Sequence, residues 1–133
     1  MYLLDSNIIL ELLLDQNRAN EVERFLRAVP RENLHISEFS LYSVGIVLFR
    51  RKQFDAFARF LDDLILTGGV RVLRLSPQAV KELATVAQQF HLDFDDAYQY
   101  VAAEKYGLEI VSFDSDFDQT DKGRKTPDQV LET

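Results

Sequence analysis

The sequence predicts an α/β fold of three layers, α/β/α, with a central parallel sheet of four to five strands between helices. Three observations predict it. Short apolar runs alternate with stretches of helical periodicity along the whole chain. Each interval between runs is long enough for a helical crossover, which parallel neighbours require. Acidic residues fall at or just past the ends of the runs, where open parallel sheets bind ligands. The 133 residues read as a single domain spanning residues 1–133, without a repeat or a linker.

The elements follow in order. Met1 to Leu4 is apolar throughout, as a strand buried on both faces should be, and Asp5 stands at its end. Ser6 or Asn7 is placed to cap a helix running through Leu14. Asn17 or Asn20 opens a second helix whose stripe is Val22, Phe25, Leu26 and Val29, and Pro30 stops it. Leu34-His35-Ile36 is the second strand. A helix follows from Glu38 through Leu41, Val44, Leu48 and Phe49, with Gly45 marking a close helix contact and Arg50-Arg51-Lys52 at its negative end. Phe54, Phe57, Leu61, Leu64 and Ile65 form the next helical stripe, ended by Gly68-Gly69. Val70 to Leu75 is the third strand, and its alternation predicts one face less buried than in the first. Ser76-Pro77 starts a helix to about His91. Asp93 caps another that Gly107 closes, and Leu108 to Phe113 is the fourth strand. The remainder is polar apart from a capping box at Thr126-Pro127-Asp128-Gln129, with no obvious fifth strand.

Composition excludes several classes. With 47% apolar and 28% charged residues the chain reads as globular rather than disordered. It has no cysteine, so disulfide and thiolate-metal chemistry are absent. The apolar run from Ile8 to Leu14 is broken by Glu11 and is far shorter than the roughly 20 residues of a membrane span. No basic region precedes it, so a cytoplasmic protein is expected rather than a secreted or membrane one. A net charge of −7 argues against a broad basic nucleic-acid face, so any such substrate needs bound metal and a local basic patch.

The chemistry concentrates in two stretches, Leu92 to Ala97 and Val111 to Asp118. They carry Asp93, Asp95, Asp96, Asp114, Asp116 and Asp118 with no Lys or Arg among them. Carboxylates so crowded repel one another unless a cation sits between them, and Mg²⁺ or Mn²⁺ prefers oxygen ligands. Asp5, at the end of a buried strand, is the other half of the same site, because a buried lone carboxylate is costly unless paired or coordinated. Plainer readings stand beside these. Asp93 reads as a helix cap, Asp95 as cap or ligand, Asp118 and Asp121 as solvated loop acids, and Glu11 as an exposed polar position. Glu38 reads first as an acid of a helix N-terminus. His35 and His91 lack metal-ligand spacing, and Tyr98 and Tyr100 read as core. Lys122, Arg124 and Lys125 follow the last acids and are either substrate-phosphate ligands or a solvated charge run.

Three of these segments, in this order, resemble the PIN domain, the nuclease fold of VapC-type toxins. They are Leu4-Asp5-Ser6-Asn7-Ile8, Asp96-Ala97 with its small-residue helix to Ala103, and Ser112-Phe113-Asp114-Ser115-Asp116-Phe117. The resemblance covers nearly the whole chain. It implies an Mg²⁺- or Mn²⁺-dependent endoribonuclease in which Asp5, Asp96 and Asp114 face the metal and Asp116 assists directly or through water. It further implies that Ser6, Asn7 and Ser112 orient these acids. Family members dimerise, and a toxin's antitoxin partner would mask the acidic groove. The chain departs from the pattern at one place: where the family sets a Glu two turns into the helix after the second strand, Ser43 stands, and the nearest acid, Glu38, either reaches the site from the strand end as a supporting group or leaves the site one ligand fewer.

The expected reaction is hydrolysis of an RNA phosphodiester by metal-activated water. Two rival readings come from other classes. One is a PIN-fold binding module with impaired catalysis, motivated by Ser43. The other is a phospho-acceptor or phosphatase-like α/β domain, although Asp5 is followed by Ser6-Asn7 rather than by the Asp-x-Asp of that phosphatase family.

Overall fold

A computed structural model describes residues 1–132 and has four strands in one all-parallel sheet, ordered β3-β2-β1-β4. The strands are β1 (Tyr2–Leu4), β2 (Leu34–Ser37), β3 (Arg71–Leu73) and β4 (Glu109–Val111). β1 is central, and its neighbours are in level register: Leu4 pairs with Ile36 of β2 and with Val111 of β4. That register sets Asp5, Ser37 and Ser112 side by side at the carboxyl edge.

Successive residues of β1 serve opposite faces. Leu3 packs into a core with Leu83, Phe90, Val101, Ile110 and Phe117, while Leu4 packs into a second core with Ile8, Val22, Phe25, Val44 and Leu48. Helices α1 (Ser6–Leu13), α2 (Ala19–Ala28), α3 (Glu38–Arg50) and α4 (Phe54–Phe60) contribute to the second core. Helices α5 (Pro77–Val80), α6 (Leu83–Phe90) and α7 (Phe94–Tyr106) cover the first. The three-layer expectation is met. β3 lies at the sheet edge with Arg71 and Val72 exposed, as its alternating sequence implied. Among the described residues no helix is long and apolar enough to cross a membrane.

Several local expectations are corrected. Asp5 itself, not Ser6 or Asn7, caps α1: its backbone is still extended and its carboxylate accepts the Ser6 N–H. Neither Asn17 nor Asn20 caps α2, which follows Arg18 without a side-chain cap. The helix expected from Pro77 to His91 is two helices, because Glu82 N–H bonds to Ala79 O, a tight closure that ends α5. His91 in left-handed geometry, φ 57°, then ends α6. The stripe from Phe54 to Ile65 starts as α4 and widens into a π-helical turn at Leu61–Leu66. Gly68 is obligatory there, since a Cβ would lie 2.1 Å from Asp63 O. Gly45 does mark close packing: a Cβ there would stand 3.1 Å from the Phe57 ring.

No fifth strand forms among the described residues. Instead Lys125 makes a single parallel bridge to Val111, and α8 (Pro127–Leu131) follows from the capping box on Thr126 and Gln129.

Candidate active site

Asp5 is built into its place from every side. Its N–H continues the sheet by bonding to Val111 O at 3.0 Å. Its Oδ1 accepts Ser6 N–H at 2.8 Å, and its Oδ2 accepts the Ser112 hydroxyl at 2.7 Å and the Asn7 amide at 3.3 Å. The Ser112 hydroxyl is a hub: it donates to Asp5 and accepts from Asn7 Nδ2 at 3.2 Å and Asp114 N–H at 2.9 Å. Asn7 Oδ1 in turn accepts Phe113 N–H at 3.2 Å, tying α1 to the end of β4. Burial pushes the Asp5 carboxyl up to about 6; the Ser112 and Ser6 hydrogen bonds oppose this, and the charges of Asp114 and Asp95 add to it.

Asp96 enters from the start of α7. Asp93 caps that helix by accepting Asp96 N–H at 3.0 Å, which leaves the Asp96 side chain turned inward and only 5% exposed. Its Oδ2 has no hydrogen-bond partner. Burial first, then the negative charges of Asp114 and Asp93, push this carboxyl up to about 8. Asp114 caps the 3₁₀ turn Ser115–Gln119 by accepting Asp116 N–H at 2.9 Å, which brings Asp116 beside it.

Oxygens of Asp96, Asp114 and Asp116 all lie within 4.8 Å of one another. Such a trio suits a hard divalent cation: the donors are all carboxylate oxygens, and the buried Asp96 Oδ2 is left unserved by the protein. Asp5 is not part of this trio; it joins it through the Ser112 hydroxyl. Glu38 is half-buried at the first turn of α3, which Ser37 caps, and it too stands outside the trio, as does Ser43 on the same helix.

The three expected phosphate ligands divide. Lys122 is exposed. Arg124 forks onto Asp118 at 3.2 Å and donates Nη1 to Ser112 O at 3.2 Å, so it supports the β4 end. Lys125 pairs with Glu109 at 3.3 Å, at the opposite end of β4 from the acids. Two neighbours of the site escaped sequence reasoning. Gln99, 1% exposed, bridges α7 to the sheet edge by accepting the Ser37 hydroxyl at 2.7 Å and donating to Leu4 O at 3.5 Å. Its only signal was a single amide among apolar helix residues. Arg18 lies over the Phe113 ring, and a lone arginine in a polar stretch carried no signal at all.

The PIN domain family model matches residues 2–123. Solved structures of similar shape include VapC20 of Mycobacterium tuberculosis, a sarcin-ricin loop cleaving toxin. It is 20% identical with a TM-score of 0.76, over 89% of this chain and 93% of that one. A toxin–antitoxin complex from Klebsiella pneumoniae is 23% identical with a TM-score of 0.74, over 96% and 98% of the two chains. PAE2754 of Pyrobaculum aerophilum is 25% identical with a TM-score of 0.72, over 98% and 92%. No curated protein matches the sequence.

Proposed function

The chain belongs to the PIN domain family, and on that premise we propose that it is a divalent-metal-dependent endoribonuclease, the toxin of a toxin–antitoxin pair. The observation that carries this reading is the buried Asp96 Oδ2, unpartnered among three converging carboxylates. Asp96, Asp114 and Asp116 would hold Mg²⁺ or Mn²⁺. The ion would supply Lewis acidity toward a water and toward the phosphoryl oxygens of RNA. Asp5 organises the site: its charge faces the trio while its own oxygens are occupied by Ser6, Asn7 and Ser112. The Ser112 hydroxyl sets the backbone of Asp114, and Gln99 holds α7, with Asp96, against the ends of β1 and β2. Glu38 is assigned no ligand role. Residues 1–133 act as one domain in this reading, supported by one continuous sheet with a core on each face.

A homodimer is proposed from the outer face of α3, where Tyr42, Ile46 and Phe49 recur at helical spacing and are more than half exposed. An antitoxin partner is supported by the Klebsiella complex of the same fold, and a cytoplasmic location goes with that role. The test of the main reading is cleavage of RNA with Mn²⁺. Wild type should cut and lose activity on chelation, and Asp96→Asn and Asp114→Asn should not cut while folding normally. Equal cleavage by both variants would overturn the assignment. A second reading, a PIN-fold binding module, is favoured by one observation: α3 adds no acid to the trio. Calorimetry separates the two, since a module that has lost its metal would show no heat with millimolar Mn²⁺.

A further inference from the structure

We propose that Arg18 is a phosphate-positioning residue, whose Nη1 group binds a backbone phosphate of single-stranded RNA at the Phe113 turn that leads from β4 to Asp114. This rests on the ribonuclease reading above. The guanidinium is held from two sides, and the Arg18 backbone N–H bonds to Glu11 Oε2 at 2.8 Å. Nε and Nη2 fork onto the two oxygens of Glu21 at 2.7 and 3.1 Å, and the guanidinium carbon sits 4.1 Å from the centroid of the Phe113 ring. Glu21 is itself only 7% exposed and accepts Asp128 N–H at 3.0 Å, so the carboxylate cannot follow a moving partner. Phe113 stands between Ser112, which orients Asp5, and Asp114, one of the trio, and its N–H is fixed by Asn7.

The head group is therefore rigid, but it is not used up. The Arg18 side chain is 45% exposed, and Nη1 donates no hydrogen bond among the described residues. Arg124, the other arginine at this turn, differs on both counts. All three of its nitrogens are engaged, by Asp118 and Ser112 O, and its side chain is 16% exposed. A chain of net charge −7 with an acidic site repels RNA, and a guanidinium at the rim of the site, beyond the proposed metal, lowers that repulsion along the strand. A pre-ordered guanidinium does so with little loss of side-chain freedom on binding.

The test compares wild type with Arg18→Ala and Arg18→Lys on a short mixed-sequence single-stranded RNA. Cleavage is followed in Mn²⁺, binding by fluorescence anisotropy in Ca²⁺, and thermal unfolding in parallel. For Arg18→Ala we expect KM and the anisotropy Kd to rise about tenfold, with kcat within about twofold of wild type. The plot of log kcat/KM against log salt should become shallower by about one. Arg18→Lys, which keeps the charge beside Glu21 but loses the fork, should recover part of the affinity at full Tm. Unchanged KM and salt slope in a wild type that cleaves, or losses that merely follow a lowered Tm, would overturn the assignment to Arg18. A wild type that neither cleaves nor binds RNA would overturn the ribonuclease reading, and Arg18 with it.

Discussion

Asp5 and Asp96 occupy the same edge of the sheet and are buried to the same degree, 7% and 5% exposed. Their surroundings differ in kind. Both oxygens of Asp5 are served by the chain, through a helix N-terminus, a serine hydroxyl and an asparagine amide. Asp96 has an oxygen, Oδ2, without a hydrogen-bond partner; burial first, then the charges of Asp114, Asp93 and Asp5 and a carboxyl–carboxyl hydrogen bond to Asp114, raise its pKa to about 8. The difference separates two uses of a buried acid. In the proposed reading the first organises the loops around the site and the second is completed by a metal ion. A buried charge is tolerated when paired or coordinated, and only Asp5 is paired by the protein itself.

Asp96→Asn is the most severe way to break this contrast. Cleavage in Mn²⁺ should fall by more than the roughly 10–100-fold that loss of an orienting residue costs. The same variant should unfold at a higher temperature than wild type when metal is absent, by about 2–6 °C near pH 8, because an uncompensated buried charge has been removed. A catalytic loss coupled to a stability gain is the signature of a ligand; loss of both would make Asp96 a structural acid.

Titration tests the same point without mutation. Asp5 and Asp96 ordinarily lose their protons near 3.8, but in the fold they do so at about 6 and about 8. Between those values the folded chain holds protons that the unfolded chain has released. Stability of the metal-free protein should therefore be fullest below about pH 4 and fall as pH rises through about 6 and about 8. Saturating Mn²⁺ should flatten the part of that fall that belongs to Asp96, since the ion replaces its proton. Thermal melts across pH, with and without metal, check this. A rise in stability over the same range would show that these acids are already neutralised by the protein.

Ser112→Ala sharpens the comparison from the other side. It removes the donor to Asp5 Oδ2 and the acceptor for Asp114 N–H. Activity should fall about 10–100-fold, with Mn²⁺ affinity lowered in calorimetry. Asp93→Ala removes the cap of α7, and with it one of the charges that crowd Asp96, and should cost at most about 1 kcal/mol in urea melts. Glu38→Gln, outside the trio, should change cleavage by less than about twofold; a larger loss would restore it as a ligand.

The legible and illegible parts of the molecule divide along sequence distance. Apolar runs announced β1 and its level neighbours, because strands covered by a core on each face are mostly apolar, with His35 and Ser37 of β2 as buried polar exceptions. Caps such as Ser76, Asp93 and Thr126 were legible because they act over three residues. The cap of α1 is hidden in the sequence because Ser6 and Asn7 are equally good capping residues and stand directly after Asp5, whose carboxylate accepts the Ser6 N–H. Among site residues, the strand-end aspartates stood out by crowding alone. Gln99 and Arg18 did not, because their partners Leu4 and Phe113 lie 95 residues away in both cases or belong to another helix–strand unit. Lys125 shows the converse: it adjoins the last acids in sequence, yet its side chain turns back to Glu109.

The most direct measurement is anomalous diffraction from a crystal soaked in Mn²⁺. The expected map has a peak between Asp96, Asp114 and Asp116, within about 2.3 Å of Asp96 Oδ2. A map with no peak there, or one in which a lysine or arginine side chain has moved onto Asp96 Oδ2, would contradict a metal-holding role for these acids.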